Sequence, residues 1–367
     1  MRILILGGTG AMGIDLIKLL AERGDFVDVT SRKARHLEHL NINFIQGNAH
    51  DMTFLGRILD KRYDAIVDFM IYDTPEFEKR VSLLCGGTHQ YIFLSSARVY
   101  ADSLTPITED SPRLLDIIDD KEYLATDEYA LTKARQENIL RDSAYYNWTI
   151  IRPYVTYNIE RLQLGWMEKE KWLFRAVQGK KILFSNDIMD KKTTLTYGFD
   201  VAHAMACLVG NPKAMSEVFH ITGTDSRTWS EVLEIYLGAL EKAIGMRPEI
   251  LLEDTCHRAV EYFGSIYQAK YDRLYNRIFD NSKIRMFCKR DLTFTSMTEG
   301  LAECVEKFLG EQRRFQEIDW GFEGYVDRLT GDRDRVSSIS DEKNKLKYVG
   351  YKYTPGIMEA LKKIKRK

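Results

Sequence analysis

The chain has 367 residues, 44% of them hydrophobic and 29% charged. That is ordinary for a soluble globular protein with a large core and a smaller attached lobe, and it separates neither enzyme from binding protein. With 53 Lys and Arg against 54 Asp and Glu the net charge is −1, which excludes a global basic field that would gather nucleic acid or anionic membrane.

In chain order, buried-strand patterns are expected over 2–6, 26–30, 43–46, 65–69, 91–94 and 149–151. Amphipathic helices are expected between them over 12–23, 53–61, 75–84 and 127–141. Strands apolar on both faces that alternate with helices predict a Rossmann-like, doubly wound parallel α/β sheet. The stretch 101–121, punctuated by Pro106 and Pro112, reads as a long loop of the kind that carries function or mobility. Beyond Pro153 the rhythm loosens. Helices are expected over 166–177, 199–209, 229–242 (with Thr228 as N-cap), 259–279 and 301–309, and short strands over 181–184 and 217–221. The expected division is a dinucleotide-binding domain over 1–160, which also uses 193–225, and a smaller substrate lobe, mainly 161–367, covering the sheet's carboxyl edge. The basic end Leu361–Lys367 reads as a solvated helix terminus.

No run of about 18 apolar residues predicts a membrane span, and the N-terminus enters a glycine loop without a signal-peptide cleavage site. The five cysteines are scattered, with no C-x-x-C pair, and the seven histidines lack metal-ligand spacing. Both patterns predict a cytoplasmic, metal-free protein with reduced thiols.

The clearest motif is Gly7-Gly8-Thr9-Gly10-Ala11-Met12-Gly13, which follows the first strand and opens a helix. Glycines there make the tight turn and let backbone approach a diphosphate, which the helix N-terminus then holds. The acid that accepts from an NAD ribose belongs at the end of the second strand, and Ser31 stands there, followed by Arg32. A hydroxyl and a guanidinium suit a 2′-phosphate, so NADP is the expected cofactor. NAD stays open: Asp28 is the acid if the strand ends earlier, and Arg32, Lys33 and Arg35 are then a solvated loop.

Tyr129 and Lys133 lie four residues apart, on one helical face. A fixed ammonium beside a phenol lowers its pKa and fits it to move a proton to or from a substrate oxygen. Tyr348 and Lys352 have the same spacing, but Gly350 and Pro355 argue against a helix there. Ser95 and Ser96 follow the fifth strand, at the sheet edge where open α/β folds bind ligands.

These residues, with Ser-Ser-x-x-Val-Tyr at 95–100, Ile151-Arg-Pro153, Asp200-Val-Ala202 and Asn281-Ser-Lys283, make the chain similar to the extended and atypical short-chain dehydrogenases/reductases, the NAD-dependent epimerase/dehydratase family. The resemblance runs over about the first 310 residues. It implies Ser96, Tyr129 and Lys133 as catalytic residues. It also implies a cofactor held by Gly7, Thr9, Gly10, Ala11, Met12, Gly13, Ser31 and Arg32, by Asn48 with Ala49 near the adenine, and by Tyr129 and Lys133. The implied function is that of a reductase or epimerase acting on a carbohydrate-like, nucleotide-linked hydroxyl or ketone. The implied assembly is a homodimer packed through the Tyr129 helix. Ser96-Ala97-Arg98 stands where sugar-nucleotide 4,6-dehydratases carry Thr-Asp-Glu, which argues against dehydration. Val155 replaces an Asn after Arg-Pro, and the run 193–197 lacks the phosphate-binding arginine of sugar-nucleotide enzymes. The competing expectation is a dinucleotide-binding regulatory or RNA-binding protein of the atypical branch. Arg98, Arg152 and the stretch 262–277 read equally as substrate contacts or as packing.

Overall fold

A computed structural model describes residues 1–289 and 292–365; the last residues of the expected basic terminus lie outside the described residues. The chain divides into two compact units.

The first comprises Met1–Asn158, Thr194–Ser226 and Ile278–Met297. Its sheet contains β1 (Arg2–Leu6), β2 (Phe26–Ser31), β3 (Ile42–Gln46), β4 (Tyr63–Asp68), β5 (Thr88–Leu94), β6 (Trp148–Pro153) and β7 (Glu217–Ile221). All pair in parallel, in the order β7-β6-β5-β4-β1-β2-β3. The principal helices are α1 (Gly13–Glu22), α2 (Met52–Leu59), α3 (Tyr129–Arg141) and α4 (Gly198–Leu208). Alternation along β1 divides the core between the two faces. Ile3 and Ile5 pack with Leu16 and Leu20 of α1 and Val201 and Met205 of α4. Leu4 and Leu6 pack with Phe54 and Ile58 of α2 and Leu140 of α3. The architecture is therefore the doubly wound Rossmann-like sheet that the alternation predicts. The long segment after β5 is pinned at the base and middle of its turn: Ala101 N–H donates to the Pro112 carbonyl at 2.9 Å, closing the base, and Ile107 N–H donates to that of Ile278 at 2.8 Å.

The second unit comprises Ile159–Thr193, Arg227–Arg277 and Thr298–Lys367. Strand Ile182–Ser185 pairs in parallel with Ile250–Glu253. Thr228 caps the helix Trp229–Ile244 in a capping box with Glu231. A buried ionic cluster ties the helix Lys169–Val177 to the helix Trp320–Thr330: the Arg175 guanidinium donates to Glu323 and Asp327, both at 2.8 Å. The Lys180 ammonium lies 3.3 Å from Asp327 and 3.5 Å from Glu323. Carboxylate oxygens of Glu323, Asp327 and Asp334 converge within 4.8 Å of one another, with these cations among them.

Two expectations fail here. Tyr348–Lys352 lies inside the helix Glu342–Tyr353. Gly350 serves close packing, since a Cβ there would come 2.6 Å from the Met358 sulfur. Pro355 opens the following helix, a position where its missing N–H costs nothing. Conversely, 259–279 is not one helix. Helix His257–Phe263 stops at Gly264, and a wide π turn over Ala269–Arg273 buries Arg273 and Arg277 against Asp272. Among the described residues no helix is long and apolar enough to cross a membrane.

Candidate active site

The loop between β1 and α1 is shaped by left-handed glycines, Gly7 at φ +79° and Gly8 at φ +73°, which only glycine adopts without strain. A Cβ at Gly13 would fall 2.2 Å from the Gly8 carbonyl oxygen, whereas one at Gly10 would meet nothing within 4 Å. The loop is thus closed on its inner side and open on its outer side. Gly7 N–H donates to the Thr30 hydroxyl at 3.0 Å, and the Asn158 amide donates to the Ala11 carbonyl at 3.3 Å. No side chain caps the start of α1, which leaves its first-turn N–H groups for an anion.

Beside this loop lies a cleft of ≈ 670 Å³, within the size range of small-molecule and cofactor sites. Of the expected cofactor residues, Gly7, Thr9, Ser31, Arg32, Asn48 and Ala49 line it. Gly10, Ala11, Met12 and Gly13 form the loop and helix start next to it without lining it. Thr30, Gly47, His50 and Met70 also line it, which the sequence did not single out. So do Lys33 and Arg35, and with Arg32 they are exposed cations without an ion-pair partner among the described residues. β2 ends at Ser31, and Asp28 is excluded as a ribose acceptor. It is buried mid-strand, accepting from Asn43 at 2.6 Å, Tyr63 at 2.8 Å and Arg2 at 3.2 Å.

The second cluster lies at the carboxyl end of β5 and the start of α3. Ser95 is engaged: its hydroxyl donates to Glu137 at 2.6 Å. Ser96 is differently placed, its oxygen accepting from Arg98 N–H at 3.2 Å, which leaves its own proton to donate. Tyr129 opens α3 and is half-buried. The Arg98 guanidinium stands 5.3 Å from its ring centroid and is held there by Glu128 at 2.7 Å. Glu128 in turn caps α3 by accepting from Ala130 N–H.

Lys133, one turn on, is only 2% exposed. Its ammonium lies 4.7 Å from the Phe93 ring centroid and 6.0 Å from that of Tyr129. It has no hydrogen-bond acceptor among the described residues. Burial lowers its pKa to about 8 against the opposing charges of Asp68 and Glu137. Neither Lys133 nor Tyr129 lines the cleft beside the glycine loop. A nearly buried ammonium without an acceptor from the protein is costly, and such a donor fits a ligand that carries hydroxyl groups, as the ribose of a dinucleotide does.

Other candidates resolve into packing. Arg152 is buried and makes two bonds to Glu137, at 2.8 and 2.6 Å, while stacking 4.7 Å over Tyr100. Asn281 donates to the Thr222 and Gly223 carbonyls at 2.8 and 3.1 Å, and Asp200 accepts from Thr295 N–H at 2.6 Å. Tyr348 and Lys352 belong to the ionic cluster of the second unit, through Asp327 and the Asp332 carbonyl.

A chloroplast stem-loop binding protein of 41 kDa from Arabidopsis thaliana is 28% identical over 268 residues, 68% of this chain and 65% of the relative; the match spans less than two thirds of that relative's length. Solved structures share the fold, among them two enzymes with NAD bound. The WbmH enzyme of Bordetella bronchiseptica, in complex with NAD+, superposes with a TM-score of 0.62 at 18% identity, covering 84% of this chain and 98% of that one. The UDP-glucuronic acid 4-epimerase of Bacillus cereus, in complex with UDP-glucuronic acid and NAD, gives 0.63 at 15%, covering 85% and 100%. The family model for the NAD dependent epimerase/dehydratase family matches residues 3–222, which include the glycine loop, Ser96, Tyr129 and Lys133, and the chain belongs to that family.

Proposed function

We propose that the chain is a nicotinamide-dinucleotide-dependent reductase or epimerase acting on a hydroxyl or ketone of a carbohydrate-like, nucleotide-linked substrate. The observation that carries this reading is the buried Lys133 ammonium, without an acceptor of its own and one helical turn from Tyr129. Ser96 donates to the substrate oxygen and orients it. Tyr129 exchanges that oxygen's proton, and two cations, Lys133 and Arg98, favour its phenolate. Lys133 also holds the cofactor ribose. When bound, the dinucleotide supplies hydride transfer. Ala97 and Arg98 offer no carboxyl group where a dehydration needs one, which supports redox or epimerisation chemistry instead. The nucleotide-linked substrate class is supported by the Bacillus cereus neighbour, which holds UDP-glucuronic acid.

The cofactor assigned is NADP. Arg32, Lys33 and Arg35 line the cleft beside Ser31, and guanidinium groups match a 2′-phosphate where a carboxylate would select a bare ribose. The test is a fluorescence titration with NADPH and NADH, comparing the natural protein with Arg32→Ala. Tighter NADPH binding that weakens in the variant is the expected result. Preference for NADH indifferent to Arg32 overturns the NADP assignment, and binding of neither by folded protein overturns the enzyme reading. The stem-loop binding relative favours RNA binding as the second reading; in that case Tyr129→Phe leaves function unchanged, whereas the enzyme reading requires lost turnover.

A further inference from the structure

The edge of the sheet buries a second charge that the mechanism above does not use. Asp68 ends β4, is 1% exposed, and pairs in register with Phe93 of β5. Its carboxylate accepts from Met70 N–H at 2.9 Å, from the Tyr72 hydroxyl at 3.4 Å and from the Tyr91 hydroxyl at 2.8 Å. None of these donors is charged. The Lys133 ammonium lies over the ring of that same Phe93. Nearby charges are already matched: Glu137 with Arg152 and Arg113, and Glu76 with Arg80. Among the described residues, Asp68 and Lys133 are thus left as opposite buried charges in one layer, neither in an ion pair of its own. In so dry a layer, opposite charges attract strongly even without contact.

We propose that Asp68 is a positioning residue for Lys133, its carboxylate, fixed by Tyr91, Tyr72 and the Met70 amide, keeping the ammonium charged where burial would otherwise remove its proton. The inference rests on the reading of Lys133 as the group that holds cofactor and biases Tyr129. Asp68 is the leading charge that opposes the effect of burial on Lys133, ahead of Glu137. Burial raises the pKa of Asp68 in turn, and its hydrogen bonds and Lys133 oppose the rise. The other titratable groups facing the pair are Tyr72, Tyr91, Tyr129 and Glu137, with Arg80 stacked 4.9 Å over Tyr72. Tyr72 and Tyr91 are pushed upward by burial and by Asp68, and Glu137 is pushed downward by its arginines and Ser95 although burial opposes them. Burial brings the Lys133 pKa to about 8, so the lysine titrates within the range tested.

The experiment is an NADPH and NADH titration of the full chain between about pH 6.5 and 9.5, in the natural protein, Asp68→Asn, Lys133→Met and the double variant. In the natural protein affinity falls as pH rises past the Lys133 pKa. In Asp68→Asn the fall moves down by about one pH unit. With that shift binding is about threefold weaker at pH 7.5 and about eightfold weaker at pH 8.5. With Lys133 already replaced, Asp68→Asn moves nothing. An unshifted fall in Asp68→Asn, with Lys133→Met still weakening binding, overturns the inference and leaves the reading of Lys133 standing. Unchanged binding in Lys133→Met overturns that reading and the inference with it. Should Asp68→Asn fail to fold, Tyr91→Phe removes one hydrogen bond from the carboxylate; a smaller shift in the same direction is expected, and none counts against the proposal.

Discussion

Replacing Lys133 by Met is expected to stabilise the protein while disabling it. The lysine is buried, and its pKa falls from 10.5 to about 8 on folding. A shift of that size corresponds to about 3 kcal/mol of destabilisation at pH 7, where both the folded and unfolded chains hold the proton. The attraction of Asp68 and Glu137 is already contained in the shift. As pH rises through 8 the folded chain releases the proton first and the unfolded chain binds more, so the cost shrinks. By pH 9.5 it has fallen by about 2 kcal/mol, and it vanishes above the unfolded pKa. Met fills nearly the same volume without a charge, so Lys133→Met removes the penalty where it is largest. Urea unfolding at pH 7 and pH 9.5 measures the difference, provided both proteins show the same m-value. The expected result is a variant about 3 kcal/mol more stable at pH 7, with a gap that narrows by about 2 kcal/mol at pH 9.5. A variant no more stable than the natural protein, or a gap indifferent to pH, refutes the reasoning.

Glycine positions in the loop separate cradle from scaffold. Gly13→Ala drives a methyl group into the Gly8 backbone and should cost about 1–3 kcal/mol together with dinucleotide affinity. Gly10→Ala points into open space and should unfold at the natural urea concentration while binding dinucleotide more weakly; unchanged affinity would show that the cradle is not used. In the second unit, burial and neighbouring carboxylates push Glu323 up to about 7, although Arg175 and Lys180 oppose the rise. Its folded pKa lies above its unfolded one, so the natural chain loses stability as pH rises toward 7, and Glu323→Gln should level that slope in urea unfolding. Asp327→Asn is expected to be far more damaging, because Arg175, Lys180 and Tyr348 all bond to that carboxylate.

The doubly wound sheet was legible because its strands are buried on both faces and its helices on one, a contrast that survives in composition alone. The position of Ser31 at the end of β2 was legible for the same reason. The partnerships around Tyr129 were not. Spacing does not distinguish Tyr129 and Lys133 from Tyr348 and Lys352, because both pairs ride on helices; only their neighbours differ, Phe93 in one case and Asp327 in the other. Arg98 and Arg152 look alike in sequence, yet Glu128 holds one over the Tyr129 ring while Glu137 buries the other. Asp68 acquires its meaning through the register of β4 on β5, a pairing between distant segments that no local pattern records. The helix through Gly350 was missed because glycine was read as a breaker, whereas there it makes room for Met358.

The approach of Gly198 to the glycine loop has a bearing on how such sequences drift. A Cβ at residue 198 would fall 2.4 Å from the Ala11 carbonyl oxygen, the same oxygen that the Asn158 amide grips. The loop's shape is therefore inherited in part from positions far downstream, outside any nucleotide-binding motif. A descendant that acquires a side chain at 198 must also reshape the turn around residue 11. Among relatives that keep every loop glycine, the residue found at 198 should then mark those whose turn has moved.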